Sequence, residues 1–227
     1  MASRVCPLPG RGEAAGLRAR RAVSWAMRLL YERGLVNLRG GNASVRLVLP
    51  GGTSFVYLTP SGGAKNSIEP LDVAVMGLDG HIYWGKPSSE YRLHLETYKR
   101  LPDARAVVHA HNPWVVLASR AGVKLDPRVL GVEASYYIGG CIARVPELPP
   151  GTKELAEAAA EALGRCPVAV LEGHGAVAVS TRGDPVEAVV EAVDRLEALE
   201  DLARASLWLA RERQAWGEGK KAGGSLL

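Results

Sequence analysis

The sequence predicts an α/β fold in three layers, α-β-α: a single domain whose central, largely antiparallel sheet is covered by helices on both faces. Three observations carry the prediction. Stretches with the two-residue period of strands are interleaved with stretches of helical period. Several strand pairs are joined by tight turns, Pro50-Gly51-Gly52 and Asp79-Gly80 among them, too short for the crossover that parallel neighbours need. The 227 residues contain no internal repeat and no linker, and one core accommodates that length.

The elements follow in chain order. Residues 1 to 14 are rich in Pro, Gly and Arg and read as a loose basic arm. From Leu17 to Arg33 the apolar set Val23, Ala26, Met27 and Leu30 has helical spacing, and Gly34 is a fitting stop. Asn37 to Ser44 is a glycine-rich loop. Val45 to Leu49 and Phe55 to Leu58 read as two strands, followed by a loop at Thr59-Pro60-Ser61-Gly62-Gly63. Val73 to Leu78 and Ile82 to Trp84 flank a hairpin turn. Ser88 to Arg100 is a helix that Ser88 or Ser89 could cap, with Leu93, Tyr98 and Leu101 on its apolar side. Ala106 to Ala110 is a short buried strand, and Asn112-Pro113 opens a helix through Ala118. Residues 122 to 152 read as irregular with short extended pieces. Thr152 caps a helix ending at Gly164, and two strands, Val168 to Leu171 and Ala176 to Val179, bracket Glu172-Gly173-His174-Gly175. Asp184-Pro185-Val186-Glu187 combines a cap, a first-turn proline and an acid, so a helix starts there and runs to about Arg211. The domain thus spans 15–213, and 214–227 reads as a mobile tail.

Bulk properties narrow the function. Apolar residues make up 47% and charged residues 23%, a globular mix with no run long enough to span a membrane and no signal-peptide core at the start. Cys6, Cys141 and Cys166 are odd in number and lack Cys-x-x-Cys spacing, which argues against a disulfide framework and a cysteine metal site. The expected compartment is the cytoplasm. The net charge of +4 owes much to Arg4, Arg11, Arg18, Arg20, Arg21, Arg28, Arg33 and Arg39, opposed there only by Glu13 and Glu32. Without interleaved aromatics these arginines read as a solvated helix face, so neither nucleic acid nor membrane is an expected partner. Positive potential also suits a site for phosphorylated substrates. One glutamine and four asparagines amount to a thermophile-like depletion of amides.

The chemistry concentrates in three histidines and one acid. His109 and His111 lie two apart on a strand and so share a face. Burying two imidazoles unpartnered would cost about 1–3 kcal/mol each, a cost that a metal removes. His174 sits between two glycines, where the chain can approach closely, and Glu90 closes Lys86-Pro87-Ser88-Ser89-Glu90. Three neutral imidazoles and a carboxylate are what a catalytic zinc takes, with one exchangeable position; another divalent metal would also be served. His94, one helical turn beyond Glu90, either orients it or a neighbour from behind or is a core histidine; His81 follows a turn and reads as exposed. Gly40-Gly41-Asn42, Ser61-Gly62-Gly63 and Ser88-Ser89 at a helix start are three loops whose amides and hydroxyls suit an oxyanion.

Gly41-Asn42-Ala43-Ser44, Thr59-Pro60-Ser61-Gly62, Pro87-Ser88-Ser89-Glu90, His109-Ala110-His111 and Gly173-His174-Gly175 occur in the order and spacing of the class II aldolase/adducin superfamily. The chain resembles it from about Leu17 to about Leu207, and within it the L-fuculose-1-phosphate aldolase branch. The resemblance implies a zinc-dependent lyase that reversibly cleaves a ketose 1-phosphate to dihydroxyacetone phosphate and an aldehyde through a metal-stabilised enediolate. It implies His109, His111 and His174 as zinc ligands, and Glu90 as a resting ligand that swings out to act as general base. Gly41, Asn42, Ser61, Gly62, Ser88 and Ser89 would hold the phosphate of a small sugar-phosphate substrate, in a homotetramer with the site at a subunit boundary.

The chain departs from that pattern at the general acid. The aldolases use a tyrosine there, whereas this chain aligns Glu133, with Tyr136 and Tyr137 just beyond. Related 4-epimerases of L-ribulose 5-phosphate carry aspartate for Glu90 and lysine for Thr59; related methylthioribulose-1-phosphate dehydratases lack that carboxylate but use an acid near Glu133. Both remain alternatives, as does, in another class, an adducin-like scaffold, whose head domains do not keep the metal ligands.

Overall fold

Eight strands form among the described residues, most of them buried on both faces and all in one sheet: β1 (Asn42–Val48), β2 (Ser54–Leu58), β3 (Ala74–Gly77), β4 (Ile82–Trp84), β5 (Ala106–Ala110), β6 (Ile142–Val145), β7 (Val168–Leu171) and β8 (Gly175–Ser180). The structure, a computed structural model, describes residues 11–222, with the backbone alone at 11–13, 133 and 214–222. The sheet order is β4-β3-β2-β1-β5-β8-β7-β6. Neighbours are antiparallel except β6 and β7, which are parallel. The largely antiparallel expectation holds, and the one parallel pair is the one joined by a helix.

The helices are α1 (Arg11–Glu32), α2 (Tyr91–Arg100), α3 (Pro113–Arg120), α4 (Val132–Ile138), α5 (Lys153–Leu163) and α6 (Pro185–Ala222). The strand period of two sends alternate side chains into two separate clusters. Val45, Tyr57, Val75, Val108 and Ala178 pack with Val23, Met27 and Leu30 of α1 and Leu196 and Leu199 of α6. Val56, Leu58, Met76, Val107 and Val177 pack with Leu93 and Tyr98 of α2 and Leu155 and Ala159 of α5. Caps fix two helix starts. The Thr152 hydroxyl accepts from Leu155 N at 3.2 Å, and Asp184 Oδ1 accepts from Val186 N and Glu187 N at 2.9 and 3.2 Å.

Several expectations need correction. Helix α1 begins at Arg11, inside the stretch expected to be a loose arm; residues 1–10, with Cys6, lie outside the described residues. Helix α6 runs to Ala222, past 213 where a tail was expected to begin; 223–227 lie outside the described residues. The stretch 122–152 is not merely irregular: it forms α4 and β6. Arg20 is not on a solvated face. It is buried and donates to the carbonyls of Pro70 and Val73. Neither serine caps α2, whose cap residue is Glu90; Ser88 Oγ instead accepts from Glu90 N at 3.3 Å.

Cys141 and Cys166 form a disulfide with Cα atoms 5.4 Å apart, contrary to the expectation from their odd number. Parallel pairing of Ile142 with Val168 brings the residues just before β6 and β7 together, which no local spacing announces. The bridge also removes the cysteine argument for a reducing compartment. Among the described residues, no helix is long and apolar enough to cross a membrane.

Candidate metal centre

The site forms where β1, β5 and the turn before β8 meet the start of α2. Antiparallel register sets Asn42 opposite His109, and His109 opposite Val177. His109 and His111 project from one face of the β5 end, and the turn at Gly173 carries His174 back over them. Their ring centroids lie 4.6–5.0 Å apart. Small residues make the approach feasible. A Cβ at Gly40 would stand 2.6 Å from His111 Nδ1, and one at Gly41 (φ +70°) would stand 2.9 Å from the His109 carbonyl. At Gly175 it would overlap the Ala110 carbonyl oxygen.

Glu90 completes the cluster from the α2 side. Each of Glu90, His109, His111 and His174 offers one ligand atom, all within 4.8 Å of one another. Glu90 Oε2 is 3.6 Å from His109 Nε2, and Glu90 Oε1 is 3.7 Å from His174 Nε2. Glu90 Oε1, His109 Nε2 and His174 Nδ1 are buried without a hydrogen-bond partner. A carboxylate and imidazole nitrogens gathered this closely, with Glu90 Oε1 and His109 Nε2 unpartnered, are costly without a cation, so the donor set fits a divalent metal. Burial pushes the His109 imidazole well below its ordinary pKa, and His174 and His111 add to that. His111 is lowered as well, again chiefly by burial. Both therefore stay neutral and keep lone pairs for a metal. His109 Nδ1 donates to Ala176 O at 2.9 Å, which leaves Nε2 as the ligating atom.

The three glycine- and serine-bearing loops lie side by side. Thr59 N donates to Ala43 O at 3.0 Å, Ser88 N to Thr59 O at 2.9 Å and Ser61 N to Lys86 O at 2.8 Å. These bonds draw Gly41-Asn42, Ser61-Gly62 and Ser88-Ser89 together, but they also consume the Ser61 and Ser88 amides, leaving their hydroxyls for an oxyanion. Ser61 and Gly62 line an open cavity of about 690 Å³ with Trp84 and Lys86. Asn42 is buried, and its Nδ2 donates to Glu90 Oε2 at 2.8 Å.

Of the candidate general acids, the two tyrosines are not drawn to the cluster within this chain. Tyr136 and Tyr137 are exposed on α4, 75% and 43%. Tyr137 lines a cavity with Leu130, Ala134 and Asp194 that contains none of the four ligand candidates. The Glu133 side chain lies outside the described residues. His81 is exposed as expected. His94 is fully buried, and its Nε2 is 2.6 Å from Asn42 Oδ1. Sequence reasoning missed Lys65, which is buried with Nζ donating to Pro60 O at 3.1 Å. Burial lowers its pKa while the charge of Glu90 raises it. Its place just after the Ser61-Gly62-Gly63 loop was the available signal.

The chain is similar to known proteins along most of its length. The family model described as the class II aldolase and adducin N-terminal domain matches residues 21–207. An L-fuculose phosphate aldolase from Methanococcus vannielii is 33% identical over 178 residues, 78% of this chain and 88% of that protein. A 3-oxo-tetronate 4-phosphate decarboxylase from Haemophilus influenzae is 29% identical over 181 residues, 78% of this chain and 81% of that protein. The crystal structure of L-fuculose-1-phosphate aldolase from Thermus thermophilus superposes with a TM-score of 0.71 at 34% identity, covering 84% of this chain and 94% of that one.

Proposed function

As this chain belongs to the class II aldolase and adducin family and lies near the L-fuculose-phosphate aldolases, we propose that it is a zinc-dependent lyase for a ketose 1-phosphate of the fuculose-1-phosphate type. The products are dihydroxyacetone phosphate and an aldehyde, and the reaction is reversible. The observation that carries the reading is the cluster of Glu90, His109, His111 and His174 with three of its buried polar atoms unpartnered. These residues hold the metal, zinc or another divalent ion, which when bound supplies positive charge to stabilise negative charge developing on the substrate. Glu90 removes the carbon-bound proton. Gly41, Asn42, Ser61, Gly62, Ser88 and Ser89 bind the phosphate, and the adjoining loops described above support that. Proton donation to the aldehyde oxygen falls to Glu133, Tyr136 or Tyr137. Because α4 holds its tyrosines away from the cluster, a neighbouring subunit of a homotetramer is our route for them to the site.

The sheet between its two helix-bearing clusters is our three-layer α-β-α domain. The amide-poor composition supports our reading of a thermophile's enzyme, in which an internal disulfide is compatible with the cytoplasmic location we propose. A second reading is a decarboxylase of a sugar-acid phosphate, supported by the relative of that kind, since a similar electron-rich intermediate would form there. The epimerase-like reading is weaker because those enzymes carry aspartate for Glu90 and lysine for Thr59, and the dehydratase-like reading because those enzymes lack the carboxylate. The complete ligand set weighs against an adducin-like scaffold.

The test is NMR of zinc-loaded protein with dihydroxyacetone phosphate in deuterated water, with and without chelator. Metal-dependent loss of one C–H signal is expected. Zinc bound at full stoichiometry with no exchange would refute the aldolase reading.

A further inference from the structure

Glu90, His94 and Tyr98 are spaced by four, so they line one face of α2; Asn42 and Ser44 are spaced by two, so they share one face of β1. The two rows interlock. Tyr98 OH is 2.8 Å from Ser44 Oγ, Ser44 Oγ is 2.7 Å from His94 Nδ1, and His94 Nε2 is 2.6 Å from Asn42 Oδ1. Asn42 Nδ2 is 2.8 Å from Glu90 Oε2. Asn42, Ser44, His94 and Tyr98 are each at most 2% exposed, so water does not compete for these bonds.

We propose that His94 is a positioning residue for Glu90, acting through Asn42 in a one-way hydrogen-bond chain that starts at the Tyr98 phenol. The proposal rests on the reading of Glu90 as the base. The direction of the chain follows from its end. Asn42 turns its NH₂ to Glu90 Oε2 and its carbonyl, which only accepts, to His94. His94 must then donate from Nε2 and accept at Nδ1. Ser44 therefore donates to His94, and its oxygen accepts from Tyr98. The opposite direction would set two oxygens 2.8 Å apart at Asn42 and Glu90.

Burial keeps the His94 imidazole and the Tyr98 phenol uncharged. It drives the His94 imidazole down to about 3 and pushes the Tyr98 phenol up. The chain thus carries orientation, not charge. It holds Oε2 and leaves Oε1, which has no partner, facing the histidines. A histidine that merely filled the core would not need a fixed tautomer, nor end its bonds on one particular carboxylate oxygen.

Two measurements test this. Long-range ¹H–¹⁵N NMR of the zinc-loaded, histidine-labelled protein reads the His94 tautomer without reference to activity. Protonated Nε2 is expected, and protonated Nδ1 overturns the chain. Deuterium exchange into dihydroxyacetone phosphate is then compared for His94→Leu and His94→Gln. Loss of the donor in the leucine variant should lower kcat about 10–100-fold, with KM and zinc stoichiometry held within about twofold. The glutamine variant, which keeps an N–H near the Nε2 position, should recover most of it. A leucine variant with wild-type kcat, or one losing zinc in step with rate, overturns the positioning role. If His94→Leu does not fold, His94→Gln is compared with wild type: a kcat near wild type supports the chain, and a loss of the size expected for leucine overturns it. If wild-type protein shows no exchange, the assignment of Glu90 as base fails, whereas the tautomer still decides the chain.

Discussion

His109 shows how a single side chain is prepared for a ligand's role. Its Nδ1 is committed to Ala176 O, its Nε2 faces Glu90, and burial keeps it neutral. His111 is less enclosed, and its removal would leave two imidazoles and a carboxylate in a cluster shaped for four ligands. His111→Ala should therefore lower zinc affinity by on the order of a hundredfold or more. Elemental analysis after dialysis checks this, and full zinc occupancy in the variant would discard the assigned ligand set. Glu90→Gln should keep the fold and lose proton exchange by on the order of 10²–10⁴-fold. The buried histidines also set an acid limit. His94 and His109 have folded pKa values below those of the unfolded chain, so as pH falls through about 6.5 the unfolded chain takes up protons that the folded one refuses. The sign is loss of stability on acidification and none on raising the pH further. Each contributes a slope of about 1.4 kcal/mol per pH unit below that point in metal-free protein. Urea midpoints at pH 5 and 7.5 read it; equal midpoints would contradict the buried, neutral assignment.

At the scale of elements, glycines decide how closely the strands and turns of the site approach. Gly175 opens β8 at φ +142°, and a Cβ there would overlap the Ala110 carbonyl oxygen and lie 2.9 Å from His111 Cα. Gly62, at φ +77°, has open space around it. Gly175→Ala should cost on the order of 3 kcal/mol, since the β5–β8 pairing must part, and Gly62→Ala only about 1. Chemical unfolding of the two variants compares them directly. Helix α3 makes a related point. Its cap residue, Asn112, makes no side-chain cap bond; Glu200 of α6 accepts from Trp114 N and Val115 N instead, at 2.9 and 3.2 Å. A helix start that reads as self-contained in sequence is closed by an acid 86 residues away.

For the whole molecule, the disulfide and the exposed apolar face of α4 are the features to test. Cys141 and Cys166 are 25 residues apart, and closing a loop of that size stabilises by about 3 kcal/mol on the chain-entropy model. Cys141→Ser should show a loss of that order in urea, while a stability equal to wild type under oxidising conditions would mean the bridge adds nothing. Val132 and Tyr136, 88% and 75% exposed, are large apolar groups facing outward. On the homotetramer reading, light scattering gives four times the 24.1 kDa chain mass, and a monomer at working concentration would remove the neighbouring copy as a source of the general acid.

Local periodicity and short motifs determined much of this protein. The sequence alone placed the main strands and hairpins, the Thr152 and Asp184 caps and the long terminal helix, because each depends on neighbours within one or two turns. The same was true of the ligand candidates: His-x-His works through the strand period, His174 sits between two glycines, Glu90 closes its own short motif, and the resemblance gave all four their roles. Tertiary structure decided the rest. The link from His94 to Glu90 runs through Asn42, some fifty residues away on another element. The pairing of Cys141 with Cys166 depends on one parallel register. The burial of Lys65 and Arg20, and the separation of the α4 tyrosines from the cluster, arise from how helices dock on the sheet. No local pattern encodes such contacts, because their free energy is realised only once distant segments exclude water together.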